Sequence, residues 1–109
     1  MTDKMDSEAN TDNICANYMK ALGDPIRLRI VRALQDGPQT VSELAGQLDL
    51  EIQKISHHLQ ILFHADLITQ HRQGKFRFYE LNASFLKGRR ANQSLDLGCC
   101  KIGLWKVEE

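Results

Sequence analysis

Between Thr40 and Ala65 two amphipathic segments follow each other with only Asp49 and Leu50 between them, and this junction narrows the possible folds more than any other feature. The first opens on Thr40-Val-Ser-Glu43, the T-x-x-E pattern in which a hydroxyl and a carboxylate cap each other's backbone N–H at a helix start. Val41, Leu44, Ala45 and Leu48 then recur at helical spacing. The second helix is predicted from about Glu51 to Ala65, with Ile52, Ile55, Leu59 and Leu62 as its buried stripe. Gln53, Lys54, Ser56, His57 and Gln60 lie elsewhere on the wheel and are polar. Two short helices on a tight turn, the second apolar on one side and polar on the other, have helix-turn-helix geometry. A polar face of this kind is equally that of a solvated helix, so the flanking segments must decide.

After Leu67 the apolar period changes from 3.6 to 2. Ile68–Arg72 and Phe76–Leu81 read as strands, with Gln73-Gly74-Lys75 as the turn of a hairpin. Phe76, Phe78 and Leu81 cannot share one strict strand face, which predicts a bulge near Tyr79. A hairpin directly after a helix-turn-helix is a wing, and Arg72, Lys75 and Arg77 crowd its tip. Upstream, Ile14, Cys15, Tyr18, Met19 and Leu22 predict a first helix over 11–22. Asp24 and Pro25 then suit the cap and first position of a second helix, whose stripe is Ile26, Ile30 and Leu34 and which Gly37 and Pro38 end.

The expected class is therefore α+β and mainly helical: a winged helix-turn-helix with a two-stranded hairpin. Residues 1–10 read as a flexible acidic tail, 11–90 as the folded domain, and 91–109 as an extended C-terminal segment carrying the pair Cys99-Cys100. The 109 residues fit one domain with a modest core, since 42% are apolar, and dimerisation is a natural way to cover more surface. The net charge of zero hides an asymmetry. Asp3, Asp6, Glu8 and Asp12 against Lys4 give residues 1–13 a net of −3. Arg72, Lys75, Arg77, Lys87, Arg89 and Arg90 against Glu80 give residues 68–90 a net of +5. Clustered cations are the footprint of phosphate binding.

No stretch approaches a membrane span or a signal-peptide core, so a cytoplasmic protein without membrane contact is expected. No Gly-rich phosphate loop, activated nucleophile or paired carboxylates suggest an enzyme.

The segments ALGDPIRLRIVRALQDG, TVSELAGQLDL, ISHHLQIL, ADLI and RQGKFRFYEL together resemble the ArsR/SmtB winged-helix repressors over residues 18–82. The resemblance implies a homodimer on an imperfect palindrome in a double-stranded DNA operator, released by an effector. It places Gln53, Ser56 and His57 on the base-reading face, Lys54 and Gln60 beside them, and Arg72, Lys75 and Arg77 on the wing. It also implies that the first helix and the C-terminal segment form the dimer interface, with the recognition helices roughly 34–36 Å apart. The chain departs from the pattern at Glu51 and Ile52, where Ser or Thr and Gln often stand, and at Gln60 and Phe63, where Arg is frequent. Fewer cations there imply weaker nonspecific affinity.

Of the ligand sets such repressors use, the C-x-C pair is absent from TVSELAGQL and no histidine lies in 82–109. That leaves Cys15, Cys99 and Cys100. If packed together, three thiolates suit As(III), Sb(III), Cd(II) or Pb(II) better than zinc, and the same group can act as redox thiols. The alternatives are cysteines that only pack as small hydrophobes, a repressor without metal sensing, or a winged helix that grips another protein. Leu95, Leu97 and Cys99, then Cys100, Ile102 and Leu104, read as one strand whose phase slips at the cysteine pair.

Overall fold

The computed structural model describes residues 2–86, 94–97 and 100–103, with 2–11, 86, 94–96 and 101 described by backbone alone. Four helices, α1 (Thr2–Leu22), α2 (Pro25–Leu34), α3 (Val41–Leu48) and α4 (Ile52–His64), precede an antiparallel hairpin of β1 (Ile68–Gln73) and β2 (Phe76–Leu81). A 3₁₀ turn at Ala83–Leu86 leads to a second small hairpin, β3 (Ser94–Asp96) and β4 (Lys101–Gly103). Among the described residues no helix is long and apolar enough to cross a membrane.

The helix starts follow from their caps. Asp24 Oδ1 accepts from the backbone N–H of Ile26 at 2.8 Å and of Arg27 at 3.2 Å, and Pro25 takes the first helical position. At α3, Glu43 N–H donates to Thr40 Oγ1 at 3.1 Å and Thr40 N–H donates to Glu43 Oε1 at 2.9 Å. The capping box is thus closed in both directions. Thr40→Ala should lower unfolding free energy by about 1 kcal/mol in a urea titration. An unchanged midpoint would show that the box is idle. Asp49 ends α3 in the left-handed region at φ 58°, a conformation that Asp tolerates better than most side chains, and this makes the tight turn into α4.

The core lies where the helices meet the first hairpin. Ile30 and Val31 of α2, Leu44 of α3, and Ile55, Leu59 and Leu62 of α4 are fully enclosed, with Leu67 and Ile68 closing the layer from the hairpin side. Tyr79 joins β2 to the loop before α3: its backbone exchanges two hydrogen bonds with Gln39, at 2.8 and 2.9 Å. The wing is therefore hydrogen-bonded at its base to the helical body.

Four expectations need correction. Helix α1 begins at Thr2, not near Thr11, so the segment expected to be a flexible tail has helical backbone. Its Lys, Glu, Ala and Met are good helix formers, and a helix nucleated by the apolar positions at 14–22 extends at little cost per residue. The bulge near Tyr79 is absent: pairing runs unbroken from Ile68↔Leu81 to Gln73↔Phe76. Tyr79 and Leu81 alone point into the core, while Phe76 and Phe78 take the other face, so the strand needs no phase slip. Ile52, expected in the buried stripe, is 54% exposed: it lies in the first turn of α4, before the enclosed Ile55, Leu59 and Leu62. The C-terminal segment is two strands rather than one, and the phase slip at the cysteines is the reversal between them, where Leu97 N–H donates to the Cys100 carbonyl at 2.8 Å. Leu97 is buried, and Cys100 and Ile102 pack against the same core.

Candidate nucleic-acid interface

Helix α4 divides cleanly. Ile55, His58, Leu59 and Leu62 are buried, and Gln53, Lys54, His57 and Gln60 are exposed. Ser56 is half-buried at the border. The spacing of the apolar residues causes this: positions three and four apart share a face, so committing one face to the core turns the polar residues outward. The outward side chains are hydrogen-bonding groups of modest length, suited to base edges and phosphates.

The wing supplies the charge. Arg72 and Arg77 are register partners across the hairpin, Lys75 sits in the turn, and all three are exposed. Gly74, at φ 64°, provides the left-handed backbone this short connection requires. Like charges directly opposite on a sheet destabilise it. A bound polyanion removes that penalty.

Behind the exposed face lies a contact that sequence reasoning missed. Arg27 of α2 donates through Nε to the Ala21 carbonyl of α1 and through Nη1 to Nδ1 of His58, at 3.0 Å. Nδ1 must then be the acceptor, so His58 is the neutral tautomer with its proton on Nε2. Helices α1, α2 and α4 are tied together here, one residue from His57, whose ring lies 5.3 Å from that of His58. The sequence signal was the position of His58, three residues after Ile55 on the apolar stripe. Its partner, 31 residues away, had no signal.

Burial holds the His58 pKa below the ordinary 6.5, with Arg27, His57 and Lys54 acting in the same direction and Asp24 opposing them. Burial would raise the Asp24 carboxyl, but the backbone N–H groups of Arg27 and Ile26, the His58 ring when protonated and the Arg27 charge leave it lowered. A histidine with a depressed folded pKa binds fewer protons folded than unfolded. Its contribution to stability is whole above pH 6.5 and is lost as pH falls through the lower folded value. His58→Gln keeps an acceptor for Arg27 and removes this titration. Urea midpoints of wild type should fall from about pH 7 to about pH 5, and those of the variant should fall less. Parallel profiles would contradict the assignment.

The other candidate residues are more scattered. His71 stacks on Phe78 and lies 3.5 Å from Glu80, and His64 Nδ1 donates to the Gln60 carbonyl at 2.8 Å. Among the described residues, no three His, Cys, Asp or Glu side chains are grouped to hold a metal ion. Cys15, half-buried on α1, is disulfide-bonded, whereas Cys100 is a free, half-buried thiol. Cys99 lies outside the described residues.

Comparison with known proteins agrees with this geometry. Residues 22–71 match a family model described as a helix-turn-helix domain. The transcriptional repressor SdpR of Bacillus subtilis (strain 168) is 39% identical over 71 residues, which are 65% of this chain and 79% of SdpR. The arsenical resistance operon repressor of Staphylococcus xylosus is 33% identical over 82 residues, 75% of this chain and 77% of that protein. The homodimeric winged helix-turn-helix DNA-binding domain of a possible ArsR-family regulator from Mycobacterium bovis superposes with a TM-score of 0.65, at 27% identity over 69% of each chain. With its helix-turn-helix, its wing and its similarity to repressors over most of their length, the chain belongs to the ArsR/SmtB family of DNA-binding transcriptional regulators.

Proposed function

We propose that the chain is a homodimeric repressor that reads an operator through Gln53, Ser56 and His57, with Lys54, Gln60, Arg72, Lys75 and Arg77 on or near the phosphates. The observation that carries this reading is the division of α4: one face is fully committed to the core and the other is polar and free, next to a wing whose cations face one another. The dimer rests on α1, where Ile14 and Met19 are 49% and 50% exposed on a helix that elsewhere sends Ala21 and Leu22 into the core. A second copy would cover such a face, and the similar Mycobacterium bovis domain is itself homodimeric. The full chain, kept reduced, should enrich imperfect palindromes from a random duplex library, with half-sites one helical turn apart. Enrichment of single, unpaired half-sites would remove the dimer, and no enrichment would remove the operator.

For the effector, we infer that it acts through cysteine thiols. The similarity to an arsenical resistance repressor supports a thiophilic ion such as As(III) or Sb(III), with Cd(II) and Pb(II) as further candidates. The disulfide at Cys15 supports oxidation, in which two thiols give one disulfide and pass two protons and two electrons to an oxidant. A disulfide sulfur is not a thiolate ligand, so the reduced chain alone has Cys15, Cys99 and Cys100 available together. Each of the four ions and hydrogen peroxide should be added separately to the reduced protein–DNA complex. Release by at least one, lost in Cys15→Ser or Cys100→Ser, is expected. Equal behaviour of wild type and both variants under all five would leave the cysteines as packing residues.

A further inference from the structure

The division of α4 leaves two side chains at its start without a role. Glu51 is the N-cap residue, yet its carboxylate makes no capping hydrogen bond and is exposed. Ser, Thr, Asp or Asn would cap this position better. At α3 the same chain builds a complete capping box, so the omission at α4 is local. Ile52, the first helical residue, is 54% exposed, while the stripe of Ile55, Leu59 and Leu62 is fully enclosed without it. The missing cap and the Ile left outside the core each forgo stability that another residue could supply, and both stand where a recognition helix enters the major groove. Ile52 also lies one turn before Ser56, at the border of the polar face.

The major groove shows what such a pair can recognise. A carboxylate only accepts hydrogen bonds. Guanine presents two acceptors, N7 and O6, and thymine an acceptor, O4, so both repel it. Adenine places its N7 acceptor beside the N6 amino group, whereas cytosine offers the N4 amino donor with no acceptor on that edge. Ile52 makes no hydrogen bond through its side chain, and its apolar partner in the groove is the C5-methyl of thymine.

We propose that Glu51 and Ile52 read a cytosine and a neighbouring thymine in each half-site, Glu51 accepting from the cytosine amino group and Ile52 covering the thymine methyl. This rests on α4 being the recognition helix. It also gives the departure from the family pattern at these positions a role in sequence choice.

The probe is a duplex enriched from a random library by the full reduced chain. Each thymine is replaced in turn by deoxyuridine, which removes only the methyl group, and each cytosine by thymine, which puts an acceptor in place of the donor. At one thymine per half-site, deoxyuridine should weaken wild-type binding about fourfold, the expected effect of one methyl-sized apolar group. Ile52→Ala should show no further loss there. Beside it, wild type should prefer cytosine over thymine by about tenfold, and Glu51→Gln should bind all duplexes more tightly with little preference. Glu51→Ser should lose the same preference while raising the melting temperature, because a cap is regained. Wild type indifferent to deoxyuridine at every thymine, or Ile52→Ala as sensitive as wild type, overturns the proposal and leaves DNA binding intact. Failure to enrich any duplex overturns the DNA-binding role of α4 and the proposal with it.

Discussion

Leu59→Ala is expected to lower the unfolding free energy by about 3 kcal/mol, within the range of about 2–5 seen when a fully buried Leu is truncated. Leu59 has no exposed surface and sits between Ile55 and Leu62 on the inner face of α4. The loss has two parts: the transfer free energy of the missing methyl groups, and the cavity left among neighbours that are themselves fixed. Against a total stability of about 5–15 kcal/mol this is a large fraction. Leu59→Met, which conserves volume, should cost less than about 1.5 kcal/mol. His57→Ala, two residues away but exposed, should change stability by less than about 0.5 kcal/mol while weakening DNA binding. A denaturant series in which His57→Ala matched Leu59→Ala would contradict the division of α4 into a core face and a reading face.

The second large effect is on the wing. Replacing Arg72, Lys75 and Arg77 together by Ala should weaken binding to all duplexes, cognate or scrambled, if these cations meet phosphate as proposed rather than bases. Each phosphate contact contributes about 0.9 to the slope of log affinity against log salt, so the three should reduce that slope by about 2.7 per protomer. Folding stability should hold or rise slightly, since Arg72 and Arg77 no longer oppose each other across the strands. Fluorescence anisotropy over a salt series checks this. A triple variant with the wild-type slope would take the wing off the contact surface.

What was legible in the sequence was mostly local. Asp24-Pro25 and Thr40-x-x-Glu43 announce helix starts because the capping groups sit within three residues of the N–H groups they satisfy. The period switch at Leu67 marks the hairpin because the core demands alternation in a strand and a stripe in a helix. What failed depended on the absence or presence of distant neighbours. Ile52 matches the stripe in periodicity, but at the first turn of α4 it is left 54% exposed. Phe76, Phe78 and Leu81 cannot share one strand face, which predicts a bulge, yet the inner positions of β2 belong to Tyr79 and Leu81 and the pairing stays regular. The phase slip at the cysteines was visible, but only the fold shows it as a reversal. The Arg27–His58 contact joins residues 31 apart and has no local signature at all.

The role of α4 and the wing in holding DNA stands or falls most directly on the salt dependence of the reduced chain bound to its selected palindrome. On the proposed reading a dimer with three wing cations per protomer would make about six phosphate contacts, so affinity should fall by about a thousandfold between 50 and 200 mM salt. Affinity that is unchanged over this range would contradict it.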